Sequence, residues 1–410
     1  MVGHAGRGFA GGDLRRRGGL KDAAMRLTPK STREKGRVDF SALLRLTVVT
    51  LSAVLMLLLL AAMVQNVGNP GTSARTAAAN PAIMDRFDMF VTNQVSDALD
   101  GVLSVKKTYW LSDDTQVAPE PDQSCYGEAA DPAELQWLLD EAADLLDGQE
   151  LYFSTETELF TGSKVQYYLD ETILAITWKE VHQNCVYTFS EVKLGHPSQF
   201  RRHLAGGEYG AEKQFTTTEM ASSVNAVVAS SGDFYRFRDF GIIVYDGVAR
   251  RVEGTYAETC YIDTNGDMHF TYAGEILDLE TAQAYVDEKN IAFSLAFGPV
   301  LVDDYEIVEH TWYGVGEIRD KYARAALCQM DALHYIVATA NTEGPHQGIP
   351  TVATFTKYIA ATGCRFAYCL DGGQTAVIVM NDQLINRPVY GEQRKISDII
   401  YFATAVPNGG

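Results

Sequence analysis

The sequence contains no Cys-x-x-Cys pair and no cluster of histidines and carboxylates at the spacing of metal ligands. Structural zinc sites and other transition-metal sites are built from such groups. We therefore predict a protein without a bound metal, and we expect no other cofactor.

Long apolar runs are also scarce, since only residues 46–64 form an uncharged stretch that could cross a bilayer core of roughly 30 Å as a helix. Residues 1–45 contain 11 basic and 4 acidic residues, and the rest of the chain contains 23 basic and 49 acidic residues. This distribution is typical of a single-pass protein of the cell membrane with its N-terminus in the cytoplasm. We expect a basic cytoplasmic tail at 1–45, a transmembrane helix at 46–64 and an extracytoplasmic remainder. A cleaved signal peptide is the alternative, although secretory signals have shorter basic regions.

The residues after this span lack the excess of positive charge found on nucleic-acid-binding surfaces. Affinity for a phosphate backbone depends on clustered lysines and arginines, whereas this part of the chain is strongly acidic. The charge pattern therefore excludes nucleic acid as a partner.

Cysteine is sparse but present in the predicted extracytoplasmic part. The six residues are Cys125, Cys185, Cys260, Cys328, Cys364 and Cys369. Their even number allows a disulfide framework, while buried free thiols acting as small apolar side chains are the alternative. Cys364 and Cys369 lie five residues apart on one predicted strand and face opposite sides, which disfavours a bond between them.

Two segments separate the predicted span from the main body. Residues 65–83 are rich in Gly, Asn, Ala and Thr without periodicity and predict a flexible stalk. In residues 84–150 apolar positions recur at helical spacing, and Asp131 and Pro132 suit the start of one helix. We therefore expect a helical accessory region with an irregular linker at 84–150.

The body at residues 151–406 has a different pattern. Apolar and polar residues alternate in runs rich in Tyr, Ile, Leu and Thr, which predicts strands. Helical spacing returns near 280–289 and 351–362. Strands with occasional helices in irregular order predict the α+β class, with a mixed β-sheet body and interspersed helices.

Two dipeptides predict tight hairpins within this body. Asp246-Gly247 and Asn265-Gly266 each lie between two apolar runs. Both residue pairs readily adopt the positive φ angles that a two-residue turn requires. We expect a hairpin at each position.

The first segment with candidate chemistry follows an apolar run at 227–229. It contains Ser231, Gly232 and Asp233. A small, flexible turn with a carboxylate at a strand end can present a catalytic group at the edge of a sheet. An ordinary Gly-Asp turn is the alternative.

The second segment lies between two apolar runs and contains Asp371, Gly372, Gly373, Gln374 and Thr375. Successive glycines can expose backbone N–H groups to an anion, and the strand end would hold the carboxylate. A Gly-Gly hairpin turn is the alternative.

Basic residues provide the third element. Arg324 and Arg394 each precede an apolar run and could bind an anionic group, although a surface cation is the alternative. Arg201, Arg202 and His203 could contact an anionic substrate, although a solvated helix face without a function is the alternative.

Taken in order, these segments make residues 167–406 resemble the phosphodiester glycosidase family. The signature Leu-Asp-Gly-Gly of this family is present here and is preceded by a Gly-Cys step. The matching segments are residues 229–234, 297–302, 324–328, 363–364, 370–375 and 394–398.

The resemblance implies hydrolysis of a sugar-1-phosphodiester linkage in an extracytoplasmic glycan or envelope polymer. Asp371 is the first candidate, and Asp233 the second, for the carboxylate that acts at the sugar. Arg324 and Arg394 would clamp the phosphate, since guanidinium groups bind it in a bidentate manner. The other residues expected to contact substrate are Gly372, Gly373, Gln374, Thr375, Ser231, Gly232 and Glu343.

Two positions differ from the family pattern. Ser231 stands where the family has asparagine, and residues 341–343 replace an Asp-Gly-Arg sequence. A non-catalytic protein that binds or assembles envelope polysaccharide on the same fold is therefore the alternative function.

Overall fold

The structure is a computed structural model that describes residues 117–153, 164–233, 235–315 and 318–405. Five predictions fall wholly or partly outside these residues: the tail at 1–45, the span at 46–64, the stalk at 65–83, part of the accessory region at 84–150 and short parts of the body at 151–406. Within the four described ranges, no helix is both long enough and apolar enough to cross a membrane.

Helices form where a residue with a capping side chain is followed by apolar residues at helical spacing. The carboxylate of Asp131 accepts hydrogen bonds from the N–H groups of Ala133 and Glu134, and Asp278 and Thr351 cap two later helices in the same way. In the described residues the helices are α1 (Pro132–Glu141), α2 (Ala143–Leu146), α3 (Thr217–Ser223), α4 (Leu279–Lys289) and α5 (Val352–Ala360). The predicted helices near 280–289 and 351–362 are therefore confirmed to within two residues.

Strands account for most of the regular structure. In chain order they are β1 (Tyr126–Ala129), β2 (Val165–Leu169), β3 (Ile173–His182), β4 (Cys185–Leu194), β5 (Phe200–Leu204), β6 (Val228–Ser231), β7 (Gly241–Tyr245), β8 (Val248–Glu253), β9 (Thr259–Asp263), β10 (Met268–Thr271), β11 (Ile291–Leu295), β12 (Val300–Asp303), β13 (Glu306–Ile307), β14 (Arg324–Asp331), β15 (His334–Asn341), β16 (Phe366–Leu370), β17 (Ile378–Met380), β18 (Gln383–Leu384) and β19 (Asp398–Phe402).

These strands form a nine-stranded sheet with the order β1-β2-β3-β4-β15-β14-β16-β12-β13 and a five-stranded sheet with the order β18-β17-β6-β19-β5. A three-stranded sheet (β10-β9-β11) and the β7-β8 hairpin complete the set among the described residues. The α+β class predicted from the sequence is confirmed. The strand pairs described here all run antiparallel, which refines the expected mixed β-sheet body.

The nine-stranded sheet is buried on both faces, because neighbouring residues of a strand point to opposite sides. On β14, Ala325 and Leu327 belong to one apolar cluster, and Ala326 and Cys328 belong to another. The first cluster includes Phe402 and other residues of the five-stranded sheet, and the second includes residues of α1 and α5. Since α3 covers the outer face of the five-stranded sheet, the body has four layers in the order helix, sheet, sheet, helix.

The described part of the accessory region packs onto this body. β1 pairs with β2 at one edge of the nine-stranded sheet, and Leu138 of α1 is fully buried in the cluster beneath that sheet. The N–H groups of Tyr152 and Phe153 donate to the buried carboxylate of Glu191. This segment is therefore part of the folded body.

The two predicted hairpins differ in their turns. Asp246 and Gly247 have φ angles of 51° and 69° and join β7 to β8 in a two-residue turn, as predicted. The β9-β10 hairpin also exists, but the N–H of Asp263 bonds the carbonyl of Asp267 (3.1 Å), which makes the loop longer than the predicted Asn265-Gly266 turn. The Asp263 carboxylate accepts hydrogen bonds from the N–H groups of Asn265 and Asp267, and these bonds stabilise the longer loop.

The six cysteines are free thiols in the structure. Five are buried in apolar surroundings and Cys125 is half-buried. They act as small apolar side chains, which was one of the two alternatives left by the sequence.

Candidate functional site

Asp371 lies where the chain leaves the nine-stranded sheet and enters the five-stranded sheet. It follows β16 directly, and the next strand, β17, belongs to the smaller sheet. A Cβ on Gly372 would lie 2.5 Å from the carbonyl oxygen of Ala323, so only glycine fits after Asp371. The backbone therefore holds a buried carboxylate at the seam, the place where the ends of the two sheets meet.

Arg394 binds this carboxylate. Its Nη2 group donates to Oδ2 of Asp371, and the arginine side chain remains 38% exposed whereas that of Asp371 is 8% exposed. Burial raises the pKa of Asp371, and the charge and hydrogen bond of Arg394 act in the opposite direction, with smaller contributions from Thr375 and Arg238. The net direction is upward, so Asp371 keeps its proton to a higher pH than an exposed aspartate does.

Arg324 lies at the same end of the nine-stranded sheet. Ala325 of β14 pairs with Leu370 of β16, so Arg324 and Asp371, the next residues outward, face each other across the strand ends. The guanidinium carbon of Arg324 lies 5.6 Å from the ring centroid of Tyr322. The structure thus brings both predicted phosphate-binding arginines to the seam.

The glycines after Asp371 fix the loop. The N–H of Gly373 donates to the carbonyl of Ala323 (2.8 Å), which ties the loop to the start of β14. This bond occupies the N–H group that was predicted to bind phosphate, so the geometry does not support that role for Gly373. The same role for Gly372 stays a prediction.

Gln374 and Thr375 face different directions. Oγ1 of Thr375 donates to the carbonyl of Gly372 (2.8 Å) inside the loop, where the threonine is buried. Nε2 of Gln374 reaches the carbonyl of Glu392 (3.5 Å), two residues before Arg394. Gln374 therefore lies at the rim of the site, and Thr375 supports it from within.

Ser231 and Gly232 connect the end of β6 to Asp371. Oγ of Ser231 donates to the carbonyl of Asp371 (3.0 Å), and the N–H of Asp371 donates to the carbonyl of Gly232 (3.4 Å). Ser231 is fully buried, and a Cβ at Gly232 would lie 1.9 Å from Oδ2 of Asp398. These residues position the backbone of Asp371 instead of lining a surface open to substrate, in contrast to the sequence prediction.

Asp233, the second predicted carboxylate, lies in a buried ion cluster with Arg202 and Asp398. Nη2 of Arg202 is 2.9 Å from Oδ1 of Asp233 and 2.9 Å from Oδ2 of Asp398, and the three side chains are fully buried. The Asp233 carboxylate also accepts hydrogen bonds from the N–H groups of Tyr235 (2.7 Å) and Ala296 (2.9 Å). Both of its oxygens are thus engaged within the protein, which favours a positioning role over direct contact with substrate.

The charge of this cluster is unbalanced. Burial raises the pKa of Asp398 to about 8; the positive charge of Arg202 opposes the shift, and the negative charge of Asp233 adds to it. One guanidinium cannot neutralise two buried carboxylates, so the cluster holds a proton near neutral pH.

The structure also corrects the interpretation of residues 201–203. They lie on β5, which pairs with β19, and do not form a solvated helix face. The side chain of Arg202 points inward with Phe200 and Leu204 and donates through Nη1 to the carbonyl of Ser294. The alternation of Phe200, Arg202 and Leu204 is the sequence signal that identifies a strand with an inward-facing arginine.

Glu343 does not join the site around Asp371. Its Oε1 is 2.7 Å from Nζ of Lys179 on β3, and three strands separate β3 from β16 in the sheet. Lys179 in turn lines a cleft of about 330 Å³ together with Lys164 and Gln166. We therefore place Glu343 outside the site, contrary to the sequence prediction.

Arg238 influences the pKa of Asp371, which the sequence pattern does not predict. Burial is the largest influence on this pKa and raises it, but the charge of Arg238 is among those that lower it. A second basic side chain besides Arg394 therefore acts electrostatically on the carboxylate. The arginines at 236 and 238, soon after the strand end at Asp233, were the available signal.

Chemically, the seam places one buried carboxylate of raised pKa in contact with the guanidinium group of Arg394, with Arg324 at the same end of the sheet. Such a carboxylate can attack an electrophilic carbon or take a proton from water. The arginines can bind a phosphate oxygen and neutralise charge that develops on a leaving group. The arrangement suits cleavage of a bond between a carbon centre and an anionic leaving group.

Residues 224–403 match the family model described as phosphodiester glycosidase. The matched residues include Asp371, Arg324, Arg394 and the Asp233 cluster partner Asp398. A comparison with curated protein sequences finds no match.

Two solved structures are similar to this chain at low identity. A hypothetical protein from Synechocystis is 13% identical with a TM-score of 0.46, and the alignment covers 58% of this chain and 63% of that protein, or less than two thirds of its length. The catalytic domain of zebrafish N-acetylglucosamine-1-phosphodiester alpha-N-acetylglucosaminidase, auto-inhibited by its pro-peptide, is 15% identical with a TM-score of 0.46 over 63% of this chain and 92% of that one.

Proposed function

We propose that the body of this chain, whose residues 224–403 match the phosphodiester glycosidase family model, hydrolyses a sugar-1-phosphodiester linkage with Asp371 as the carboxylate at the anomeric carbon. The observation that carries the proposal is the contact between Arg394 and the buried Asp371 at the seam. Positive charge develops on the sugar ring while negative charge develops on the departing phosphate. A carboxylate beside a guanidinium offers the complementary charge to each.

The arginines act on the leaving group. Arg394 and Arg324 would bind the phosphate oxygens, and Arg238 adds positive charge near the same carboxylate. The departing phosphomonoester leaves as a stable anion and depends less on protonation by a general acid than an alcohol does. One carboxylate can therefore suffice, which fits the enclosure of Asp233 by Arg202.

The reaction breaks the bond between the anomeric carbon and the phosphate oxygen. The bonding electrons leave with the oxygen, and a phosphomonoester is released. Asp371 either attacks the anomeric carbon and is then released by water, or takes a proton from the water that attacks. Both routes give a free sugar and require Asp371 to be ionised.

The substrate class follows from the predicted location. The sequence predicts a membrane anchor and an extracytoplasmic body, so the linkage would lie in an exopolysaccharide or another anionic envelope polymer. N-Acetylglucosamine, the sugar named for the zebrafish relative, is one donor to test.

The proposal is tested with the purified full chain and methyl diesters of α-N-acetylglucosamine-1-phosphate and α-glucose-1-phosphate. We expect release of free sugar and methyl phosphate, followed by NMR. Absence of sugar release from these diesters and from a wider panel of sugar-1-phosphodiesters would remove the proposal and favour the non-catalytic alternative.

Arg394→Gln is expected to move the acidic limb of the kcat/KM profile to higher pH. Asp371 must be ionised to react, so the rate rises with pH through its pKa. Burial raises this pKa and Arg394 opposes the rise. Loss of the guanidinium should therefore raise the pKa of Asp371 further. The measurement is the pH at half-maximal kcat/KM.

Two variants separate this effect from a general loss of phosphate binding. Arg394→Lys keeps the positive charge and should leave the limb closer to that of the wild type. Arg365→Gln removes an arginine that pairs with Asp304 (2.9 Å) at the other end of β16, and it should not move the limb. A lower rate with an unchanged profile in Arg394→Gln would show that Arg394 does not control the ionisation of Asp371.

A further inference from the structure

Two buried asparagines lie where the loop that follows Asp371 enters the five-stranded sheet. Asn341 is the last residue of β15 and is 1% exposed, and Asn386 lies just after β18 and is 2% exposed. Arg324 pairs with Ala340 across β14 and β15, so Asn341 lies at the same end of the nine-stranded sheet as Arg324. Both amide groups are therefore buried in the protein close to the site.

Both amides bind one carbonyl oxygen, that of Ala376. Nδ2 of Asn341 lies 3.1 Å from this oxygen and Nδ2 of Asn386 lies 2.8 Å from it. A carbonyl oxygen has two lone pairs and can accept both hydrogen bonds. Nδ2 of Asn386 also donates to Oδ1 of Asn341 (3.0 Å). These three bonds form the amide clamp, which consists of Asn341, Asn386 and the carbonyl of Ala376.

A backbone group fixes the orientation of both amides. The N–H of Ile378, at the start of β17, donates to Oδ1 of Asn386 (2.8 Å). Nδ2 of Asn386 must then face Ala376 and Asn341, and Asn341 must present its oxygen to Asn386 and its Nδ2 to Ala376. The family pattern has aspartate at this position, and an ionised aspartate would offer no donor to Ala376. The amide at position 341 is thus the group that complements Asn386.

The amide clamp and the end of β6 hold opposite ends of the loop. At its start, the N–H of Asp371 donates to the carbonyl of Gly232 (3.4 Å), and Oγ of Ser231 donates to the carbonyl of Asp371 (3.0 Å). At its end, the carbonyl of Ala376 is bound by the clamp, and the N–H of Ala376 donates to the carbonyl of Gly373 (3.3 Å). Because the loop is short, release of Ala376 would allow Asp371 to shift.

We propose that the amide clamp holds Asp371 in its reactive position, with Asn341 and Asn386 as positioning residues that do not contact substrate. The inference rests on the proposed function. Loss of one amide leaves its buried partners unsatisfied, so the network is stable in one arrangement only. The departure from the family pattern at position 341 is then matched by Asn386 and keeps the site in order.

The test measures kcat and KM of the full chain for the methyl diester of α-N-acetylglucosamine-1-phosphate. Asn341→Ala and Asn386→Ala should each lower kcat by about 10- to 100-fold, the effect of a displacement of about 1 Å, with KM changed much less. Since both residues act through one clamp, the double variant should lose little more than the more affected single variant. An unchanged kcat, or losses that multiply in the double variant, would overturn the clamp.

Gln329→Ala is the matched control for loss of a buried amide. Gln329 is 3% exposed and lies toward the end of β14 away from Arg324. Its Oε1 accepts from the N–H of Met268 (2.8 Å), and its Nε2 donates to the carboxylate of Asp267 (2.7 Å). The variant should lower the melting temperature without lowering kcat. An equal loss of kcat in Gln329→Ala and Asn341→Ala would contradict the proposal, because any buried amide would then have the same effect.

Hydrogen–deuterium exchange of the substrate-free chain keeps this result separate from failure of the proposed function. Mass spectrometry of peptides that cover residues 371–377 should show exchange at least about fivefold faster in Asn341→Ala than in the wild type, and unchanged exchange in Gln329→Ala. Faster exchange in Asn341→Ala alone supports the clamp even if the wild type hydrolyses no diester. Exchange at the wild-type rate in Asn341→Ala overturns it, whatever the activity.

Discussion

Asp371→Asn is expected to lower kcat for sugar-1-phosphodiesters by roughly 10³-fold or more, while the melting temperature stays close to that of the wild type. The amide has the shape of the carboxylate and can still accept the hydrogen bond from Arg394. It can neither attack the anomeric carbon nor accept a proton from water. The loss should therefore appear in kcat, with KM changed much less.

The new side chain introduces a chemical artefact that the design must exclude. An asparagine followed by Gly372 deamidates readily, and the product restores a carboxylate. Activity is therefore measured on freshly purified protein whose mass has been checked. Asp371→Ser, which cannot deamidate, serves as the second variant and should show a comparable loss.

Asp304→Asn is the matched control for loss of a paired aspartate. Asp304 accepts a hydrogen bond from Nε of Arg365 (2.9 Å) near the other end of β16, and its side chain is 69% exposed. The variant should keep full activity. If Asp371→Asn and Asp304→Asn release sugar at the same rate as the wild type, Asp371 is not the reacting carboxylate.

Much of the fold was predictable because the relevant interactions are local. Asp131 caps α1 by accepting hydrogen bonds from N–H groups two and three residues further along the chain. The Asp246-Gly247 turn forms because both residues readily adopt positive φ angles. The longer β9-β10 loop was missed because the side chain of Asp263 provided an alternative hydrogen-bond acceptor for the loop N–H groups. The turn preference of the Asn265-Gly266 dipeptide carries no information about these hydrogen bonds to the Asp263 side chain.

The core of the site was predictable for a similar reason. Asp371 and Gly372 form one continuous motif, and Arg324 and Arg394 each precede an apolar run. The motif does not show which of the site's polar groups are already bonded to other parts of the protein. The N–H of Gly373 bonds Ala323, and Glu343 bonds Lys179, through contacts between segments far apart in the chain.

Asp233 shows the same limit most clearly. At the end of a strand, a carboxylate in a small turn is compatible with catalysis or with structure. The decision depends on Arg202 and Asp398, which bring a buried cation and a second buried carboxylate from other strands. No pattern within residues 227–235 contains that information.

Arg202→Met is expected to lower the free energy of unfolding at pH 7.5 by about 3 to 5 kcal/mol, the usual cost of removing one partner from a buried ion pair. Methionine fills much of the same space but leaves Asp233 and Asp398 buried without a cation. Urea denaturation followed by circular dichroism measures the change.

The penalty should depend on pH. Burial raises the pKa of Asp398 to about 8 from an ordinary value of 3.8. A carboxyl group whose pKa is raised by folding stabilises the fold below its ordinary pKa, and this contribution is lost as the pH rises through the folded value. Wild-type stability should therefore fall between about pH 4 and pH 8. In Arg202→Met the fall should extend to higher pH, because loss of the opposing positive charge raises the pKa of Asp398 further.

Two variants identify the source of this dependence. Asp398→Asn mimics the protonated carboxyl and should flatten the pH dependence while keeping the fold. Arg365→Met removes an arginine that is 50% exposed and paired with Asp304, and it should cost less than about 1 kcal/mol at any pH. A pH-independent loss in Arg202→Met would show that packing, not charge, explains its effect. Because Gly232 packs on Asp398 and bonds the backbone of Asp371, the cluster that stabilises the fold also positions the carboxylate that we propose reacts with substrate.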